Sequence, residues 1–274
     1  MTPVDLRPST LGAGYGWHWI RGGFELFRRA PLVWIALVLV FLLILIVLPY
    51  LPIVGPMLFI LLYPVFFAGF MRGCAALDAG QELDIAHLFS GFGNRAAALV
   101  TLGGMNLVAQ IAIAGALVLT GGDHLINFER NGIDMNDPAA TLAALQDLAV
   151  PLLLYLMLSL PIVMAMWFAP TLLAFHDVKP LAAAKASFLG CTANLAPFTV
   201  YGLGVFALLL LVTPAVGIAS LILSPLIGVS AALQLVLSVV LGSPVLATIL
   251  ASNYSGYKDV FATASAVRAL PGTA

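Results

Sequence analysis

Three amide side chains carry the polar chemistry that lies deepest inside the long apolar runs of this sequence. Asn106 and Gln110 are four residues apart, so a helix places them on one face, and Gln234 lies in the last apolar run. A carboxamide in hydrocarbon needs a hydrogen-bond partner. The amides therefore predict either bonds that hold neighbouring helices together or a polar patch lining a central cavity. In the second case they are candidate ligand-binding residues.

Tryptophans and arginines near the amino terminus form a second candidate site. Trp17, Trp19, Arg28 and Arg29 all precede the first apolar run. Indole rings favour the boundary between lipid headgroups and hydrocarbon, and guanidinium groups can hold lipid phosphates. These residues predict either simple anchoring at the boundary or specific contact with lipid headgroups.

Residues suited to acid–base or metal chemistry are few. His176 and Asp177 are adjacent, but no nucleophile, metal-ligand spacing or established catalytic motif accompanies them. No acid, base or histidine lies deep within an apolar run, which argues against a proton-coupled transporter. Cys74 and Cys191 are interpreted as small apolar residues without a disulfide. We expect a protein that is not an enzyme and that needs no metal or cofactor.

The composition indicates that the chain lies in a membrane. Hydrophobic residues make up 62% of the 274, and charged residues only 8%, against roughly 25% in soluble domains. No basic tract suggests nucleic acid as a partner. A helix needs about 20 apolar residues to cross a bilayer. Six segments meet or approach that length: 31–48, 56–77, 97–120, 150–175, 197–222 and 226–250.

The basic residues predict how these segments are threaded. Of the 11 lysines and arginines, all but Arg130 fall on one side of a six-span chain. Basic residues are retained in the cytoplasm, so both termini are expected there. The segment 121–149 is then an acidic outer loop. Within it, Asp137 and Pro138 predict the start of a short helix on the outer surface.

The chain also repeats a pattern three times. Apolar residues at helical spacing predict amphipathic interfacial helices around 17–29, 85–92 and 181–195. Spans follow them at Ala30-Pro31, Ala96-Ala97 and Ala196-Pro197. We predict an all-α, polytopic protein with one membrane domain over 1–274, made of three parallel repeats of an interfacial helix plus a helical hairpin. The repeat units are approximately 15–80, 81–178 and 179–261, with flexible tails at 1–14 and 262–274.

Four stretches carry a family resemblance: FRRAPLVWI, LDIAHLFSGF, HDVKPLAAAKASFLGCTANLAPFTVYG and GYKDVF. They resemble an uncharacterised family of bacterial six-span inner-membrane proteins. That family is distantly similar to the membrane domain accompanying some glycerophosphodiester phosphodiesterases. The resemblance implies six helices in the inner membrane. It implies no catalytic residue. The phosphodiesterase activity is not carried over, because this chain has no attached soluble phosphodiesterase domain.

Two functions remain open on these observations. The first is a non-enzymatic scaffold that binds membrane lipids or another membrane protein. The alternative is a passive transporter or channel for a small or lipid-like solute, with the amides lining its cavity. A cavity that reaches the amides favours the alternative, whereas amides bonded across a close-packed centre favour a scaffold.

Overall fold

The described residues form helices joined by short non-helical segments, and they contain no strand. The computed structural model describes residues 6–52, 54–131, 137–227 and 231–262. Within these ranges the α-helices are α1 Tyr15–Arg29, α2 Pro31–Val47, α3 Val54–Asp78, α4 Ala96–Asn131, α5 Pro138–Trp167, α6 Ala169–Phe175, α7 Pro180–Ala193, α8 Leu195–Ile227 and α9 Ala231–Tyr257. Two 3₁₀ segments, Leu48–Tyr50 and Ile85–Phe92, and a π-helical turn, Lys258–Ala262, accompany them. The all-α prediction is confirmed.

Several of these helices are long and apolar enough to cross a membrane. Five stretches meet that condition: Val54–Asp78, Ala96–Thr120, Ala139–Phe175, Leu195–Ile222 and Val236–Phe261. Helices α1 and α2 meet it only as a pair, and that pair is bent by 103°. By length and composition the described residues therefore contain five candidate spans, or six if the bent pair forms one.

The bend between α1 and α2 occurs at a single residue. Ala30 has φ −147° and ψ 61°, outside the helical region. Pro31 causes this, because the proline ring clashes with the preceding residue when that residue is helical. Proline is tolerated at the first position of α2, where the backbone needs no amide donor. The sequence RRAP thus ends one helix and starts another in a new direction.

A second break divides α5 from α6 at Phe168. Pro170 follows at the start of α6 and cannot donate a backbone hydrogen bond. The Ser187 hydroxyl of α7 replaces a missing bond: it accepts from the Phe168 amide at 2.9 Å and donates to the Met164 carbonyl at 2.7 Å. The side-chain amide of Asn253 donates to the Trp167 carbonyl at 3.0 Å. Interrupted helical hydrogen bonding is tolerated in a membrane protein where other protein groups satisfy the backbone in this way.

The predicted outer loop over 121–149 is mostly helical. Helix α4 extends to Asn131 and α5 begins at Pro138. The predicted helix start is confirmed, because Asp137 Oδ1 accepts from the amides of Ala139 at 2.9 Å and Ala140 at 3.3 Å. The helix that starts there is not a separate surface helix but continues to Trp167. Alanine and leucine dominate its first turns, and both are strong helix formers.

The buried core lies toward one end of the bundle, which we call the basic end. This end carries α1, the 3₁₀ segment Ile85–Phe92 and α7. Large side chains with almost no exposed surface meet there, namely Trp19, Trp34, Phe70, Met71 and Phe168. Elsewhere the helices expose large apolar side chains, as at Leu119 (87%) and Leu211 (73%). Such exposure suits contact with lipid rather than water.

The amino-terminal segment is bound to the basic end. The Ser9 amide donates to the Val260 carbonyl at 2.8 Å, and the Leu11 amide donates to Asn194 Oδ1 at 2.8 Å. Asn194 Nδ2 donates in turn to the Ser9 carbonyl at 2.9 Å. The predicted flexible tail over 1–14 is thus held at Ser9 and Leu11. Residues 1–5 and 263–274, the rest of the predicted tails, lie outside the described residues.

Candidate functional site

Helix α1 lies directly against α8 and α9 because glycines occupy its contact face. A methyl group at Gly16 would overlap the Pro197 carbonyl oxygen, and one at Gly23 would overlap the Thr248 carbonyl oxygen. The two glycines are seven residues apart, so both lie on the same side of α1. This close approach fixes which face of α1 turns away from the bundle.

A groove of about 700 Å³ runs along this contact, and we call it the arginine groove. Its apolar residues come from α1, α8 and α9, and its charged residues come from α1. Its walls are formed by Trp17, Ile20, Arg21, Phe24, Glu25, Arg28, Arg29, Leu208, Pro244, Val245 and Thr248. Trp17 and Phe24 are 53% and 48% exposed. The groove thus combines cationic groups with exposed aromatic and aliphatic surface.

The charges in the groove are predominantly positive. Three arginines face one carboxylate, Glu25, and all four residues are exposed. The Arg28 guanidinium lies over the Phe24 ring at 5.8 Å, and Arg29 donates to the Leu77 carbonyl at 2.9 Å. Among the described residues, neither Arg21 nor Arg28 forms an ion pair with Glu25. The groove can therefore offer guanidinium groups to an anion.

Three of the four predicted headgroup residues line this groove, and the fourth does not. Trp17, Arg28 and Arg29 are in its wall, but Trp19 is only 2% exposed. Its Nε1 donates to Asp259 at 3.1 Å, and its ring contacts Phe198 edge-on at 5.1 Å. Trp19 is two residues from Trp17 and so points to the bundle rather than to the boundary. The prediction of a lipid contact at Trp19 is wrong.

A second cavity, of about 320 Å³, lies between α3, α4, α5, α8 and α9, and we call it the carboxamide cavity. Asn106 and Gln110 both line it, together with Tyr63, Tyr201 and Asn253. No lining residue is charged. The structure thus places two of the three predicted cavity residues together. The side chain of Gln234, the third, lies outside the described residues.

The polar groups of this cavity fall into two sets. The Tyr201 hydroxyl shares a 2.7 Å hydrogen bond with Ser252, and Asn253 bonds to Thr171 and to the Trp167 carbonyl. Within the described part of the chain, the side chains of Asn106 and Gln110 make no hydrogen bond. The two amides face the cavity instead of holding helices to each other.

His176 and Asp177 have separate partners at the basic end. His176 Nε2 and the Tyr257 hydroxyl share a hydrogen bond of 2.8 Å, and burial lowers the pKa of His176. Asp177 pairs with Arg95, whose guanidinium also donates to the carbonyls of His176 and Val178. Arg95 therefore ties the start of α4 to the turn after α6. The described residues bring no group of three His, Cys, Asp or Glu side chains together for a metal.

Sequence reasoning missed several residues of these sites. Tyr63, Tyr201 and Asn253 join the cavity from helices far apart in the chain, and nothing in their local pattern indicates it. Arg21 does carry a signal, because it is seven residues before Arg28 and so shares its face of α1.

Several apolar helices of spanning length and many exposed large apolar side chains define a polytopic α-helical membrane protein. The chain is 35% identical over 211 residues to a protein of Burkholderia thailandensis described as a probable inner membrane protein. The match covers 73% of this chain and 75% of the relative. The chain belongs to the family of this inner membrane protein. No family model and no solved structure matches it. The similarity to phosphodiesterase-associated membrane domains stays a prediction.

Proposed function

We propose that this protein is a non-enzymatic, lipid-binding protein of the inner membrane, and that the arginine groove binds the headgroup of an anionic phospholipid. The observation that carries the proposal is the composition of the groove. Arginines of α1 stand beside an apolar wall of α8 and α9. A phosphate suits the arginines, and an acyl chain suits the apolar wall.

The electrostatics favour an anionic headgroup over a zwitterionic one. Three guanidinium groups and one carboxylate give the groove a net positive charge. A basic residue near an anionic membrane surface contributes about 1 kcal/mol of attraction. Arginine also presents parallel donors that match two oxygens of one phosphate. Arg29 already donates to the Leu77 carbonyl, so Arg21 and Arg28 supply the main headgroup contacts.

The apolar wall supplies the second half of a lipid site. Leu208 and Val245 come from candidate spans, so they continue from the boundary toward the hydrocarbon. Trp17 stands at the boundary itself, where indole rings are favoured. A lipid with its phosphate at α1 therefore lays its chains along α8 and α9.

The proposed topology, with six spans and both termini in the cytoplasm, places the groove on the cytoplasmic side of the membrane. Helix α2 has 17 residues, or about 26 Å, and the 3₁₀ turn after it adds about 6 Å. Together they match a hydrocarbon core of about 30 Å, which supports a sixth span. The basic end carries the arginines of α1 and so faces the cytoplasm under the positive-inside rule.

The junctions before α2 and α8 support the similarity of the first and third repeat units. Ala30 and Asn194 have similar non-helical conformations, with φ −147° and ψ 61° against φ −127° and ψ 35°. Each donates its amide three residues back, to Phe27 and Cys191. The equivalent residues are thus Ala30 and Asn194, two positions earlier in the third unit than the proline alignment predicts.

Brominated lipids test the headgroup preference, because bromine quenches the fluorescence of a nearby tryptophan. The protein is placed in phosphatidylcholine nanodiscs containing an equal fraction of brominated phosphatidylglycerol or brominated phosphatidylcholine. The anionic lipid should quench Trp17 more strongly, and salt should weaken the difference. The double variant Arg21→Gln/Arg28→Gln should lose about 2 kcal/mol of this preference.

Two controls locate the effect. Trp17→Phe should abolish the difference between the two lipids, which assigns it to the groove. Lys185→Gln removes an exposed cation of the basic end outside the groove and should leave the difference intact. Equal quenching by both lipids in the unmodified protein would contradict the proposal.

A further inference from the structure

We propose that the carboxamide cavity is a second binding site, distinct from the arginine groove, for an uncharged amphiphile with hydroxyl groups on its head. It would admit a molecule such as a monoacylglycerol and would exclude the charged equivalent.

The first support is the set of polar groups that face the cavity without a protein partner. The Tyr63 hydroxyl and the carboxamides of Asn106 and Gln110 all line it. Among the described residues, none of the three side chains makes a hydrogen bond. In contrast, Tyr201 and Asn253 at the other side of the cavity are bonded to protein. The three groups offer donors and acceptors to a bound molecule.

The second support is the depth at which these polar side chains lie in the membrane. Asn106 lies about ten residues into α4, or about 15 Å from its start at the basic end. Tyr63 lies about 15 residues before the end of α3 at Asp78, or about 22 Å. Both distances fall within a hydrocarbon core of about 30 Å. An unpaired polar group is costly at this depth, so a ligand that pairs it binds favourably.

The third support is the character of the remaining wall. Phe67, Val163, Met166 and Leu250 contribute apolar surface. Val163 is 47% exposed, so α5 does not seal the cavity. A neighbouring acyl chain can therefore enter beside a polar head. The cavity contains no basic side chain to neutralise a charged head, and burial of an unpaired charge is strongly unfavourable.

The size and spacing limit the ligand further. The cavity of 320 Å³ holds roughly ten water volumes, enough for a glycerol head and the first part of a chain. Asn106 and Gln110 are four residues apart and so project side by side. Neighbouring hydroxyls on one head can bond to both amides at once.

Photolabelling with a matched pair of probes tests the inference. Both probes carry a diazirine near the ester of the same acyl chain, and one is a monoacylglycerol while the other is a lysophosphatidic acid. The protein is labelled in nanodiscs, and the modified peptides are located by mass spectrometry. The neutral probe should label the segment 162–167 and be displaced by unlabelled monoacylglycerol. The anionic probe should label α1 instead.

Variants decide whether the polar groups bind the probe. Asn106→Leu/Gln110→Leu should reduce neutral labelling of 162–167 about tenfold. Val108→Leu, an exposed position on the same helix, should leave it unchanged. Tyr63→Phe removes only a hydroxyl, so it tests the site if the double variant fails to fold. Equal labelling by both probes, or labelling that the variants leave unchanged, would overturn the inference. Neither result bears on labelling of α1, so the two lipid sites succeed or fail separately.

Discussion

At the residue scale, the contacts that distinguish this molecule are close approaches and single hydrogen bonds at the basic end. Gly23 lets α1 rest on the backbone of α9, and His176 bonds to Tyr257 where α6 ends. Each contact joins helices that are far apart in sequence. Single substitutions at these positions should therefore have effects larger than those of ordinary surface changes.

Replacing Gly23 should displace α1. A side chain at this position meets the carbonyl of Thr248 and the backbone of Ser252, which cannot move aside as a flexible side chain can. We expect Gly23→Ala to destabilise the protein by about 1–3 kcal/mol, as overpacking does, despite the better helix propensity of alanine. Thermal unfolding in detergent measures it. Gly14→Ala, where nothing lies nearby, is the matched control, and an equal effect there would contradict the assignment.

The half-buried imidazole of His176 predicts a dependence of stability on pH. Burial lowers its pKa below the ordinary value, which is about 6.5. As the pH falls below about 6.5, the unfolded chain binds a proton before the folded chain does, so stability is lost. Above that pH the contribution of this group is constant. Melting temperatures between pH 8 and pH 5 should fall less for His176→Gln than for the unmodified protein. If the melting temperatures of the two proteins fell equally between pH 8 and pH 5, His176 would not titrate in this way.

At the element scale, two of the helical breaks have different causes. The bend between α1 and α2 has a local cause, because Pro31 disfavours the helical conformation at Ala30. The α5–α6 break depends on distant side chains, since Ser187 and Asn253 satisfy the backbone groups that the break leaves without helical bonds. The α5–α6 break therefore depends on the correct packing of α7 and α9, which supply Ser187 and Asn253.

Removing the Ser187 hydroxyl should destabilise the α5–α6 break. Ser187→Ala leaves the Phe168 amide and the Met164 carbonyl without this partner in a buried position. We expect a loss of about 1–3 kcal/mol, measured by thermal unfolding. Thr192→Ala provides the control, because Thr192 is exposed on the same helix and its hydroxyl donates to the carbonyls of Phe188 and Leu189 within α7. Equal stability of the two variants would mean that the break does not need the bridge.

The positions of the helices were largely predictable from the sequence, but which helices pack against each other was not. The apolar runs, the cap at Asp137 and the shared face of Asn106 and Gln110 depend on residues close in sequence. The burial of Trp19 and the Ser187 bridge depend on which helix covers which face. Hydrophobic periodicity indicates that choice poorly in a membrane, because lipid-facing and buried faces are both apolar. In α7, for example, the small residues Ala183, Ser187 and Gly190 are buried, whereas Leu181 is 69% exposed.

At the scale of the whole molecule, the protein places a cationic groove at one end and an uncharged cavity at mid-depth. The groove suits phosphate-bearing heads, and the cavity suits heads without charge. Both sites contact α9, through Val245 and Thr248 for the groove and Leu250 and Asn253 for the cavity. Because α9 lines both sites, a lipid bound at either site lies against this helix.

The proposed orientation, with the basic end in the cytoplasm, can be tested by labelling. Cys74 has no exposed surface, and burial raises the pKa of Cys191 to about 12, so neither native thiol should react. In intact spheroplasts, an impermeant maleimide should label Tyr50→Cys and should not label Glu82→Cys. Permeabilised membranes should allow labelling at both. The opposite pattern would invert the topology and place the arginine groove on the outer face.

Native mass spectrometry of the protein extracted gently from its own membrane tests the central claim most directly. The measurement compares the unmodified protein with Arg21→Gln/Arg28→Gln and with Lys185→Gln. An anionic phospholipid should remain bound to the unmodified protein and to Lys185→Gln, and should be lost from the double variant. Retention of the same lipid by all three proteins, or a bare unmodified protein, would contradict a lipid site in the arginine groove.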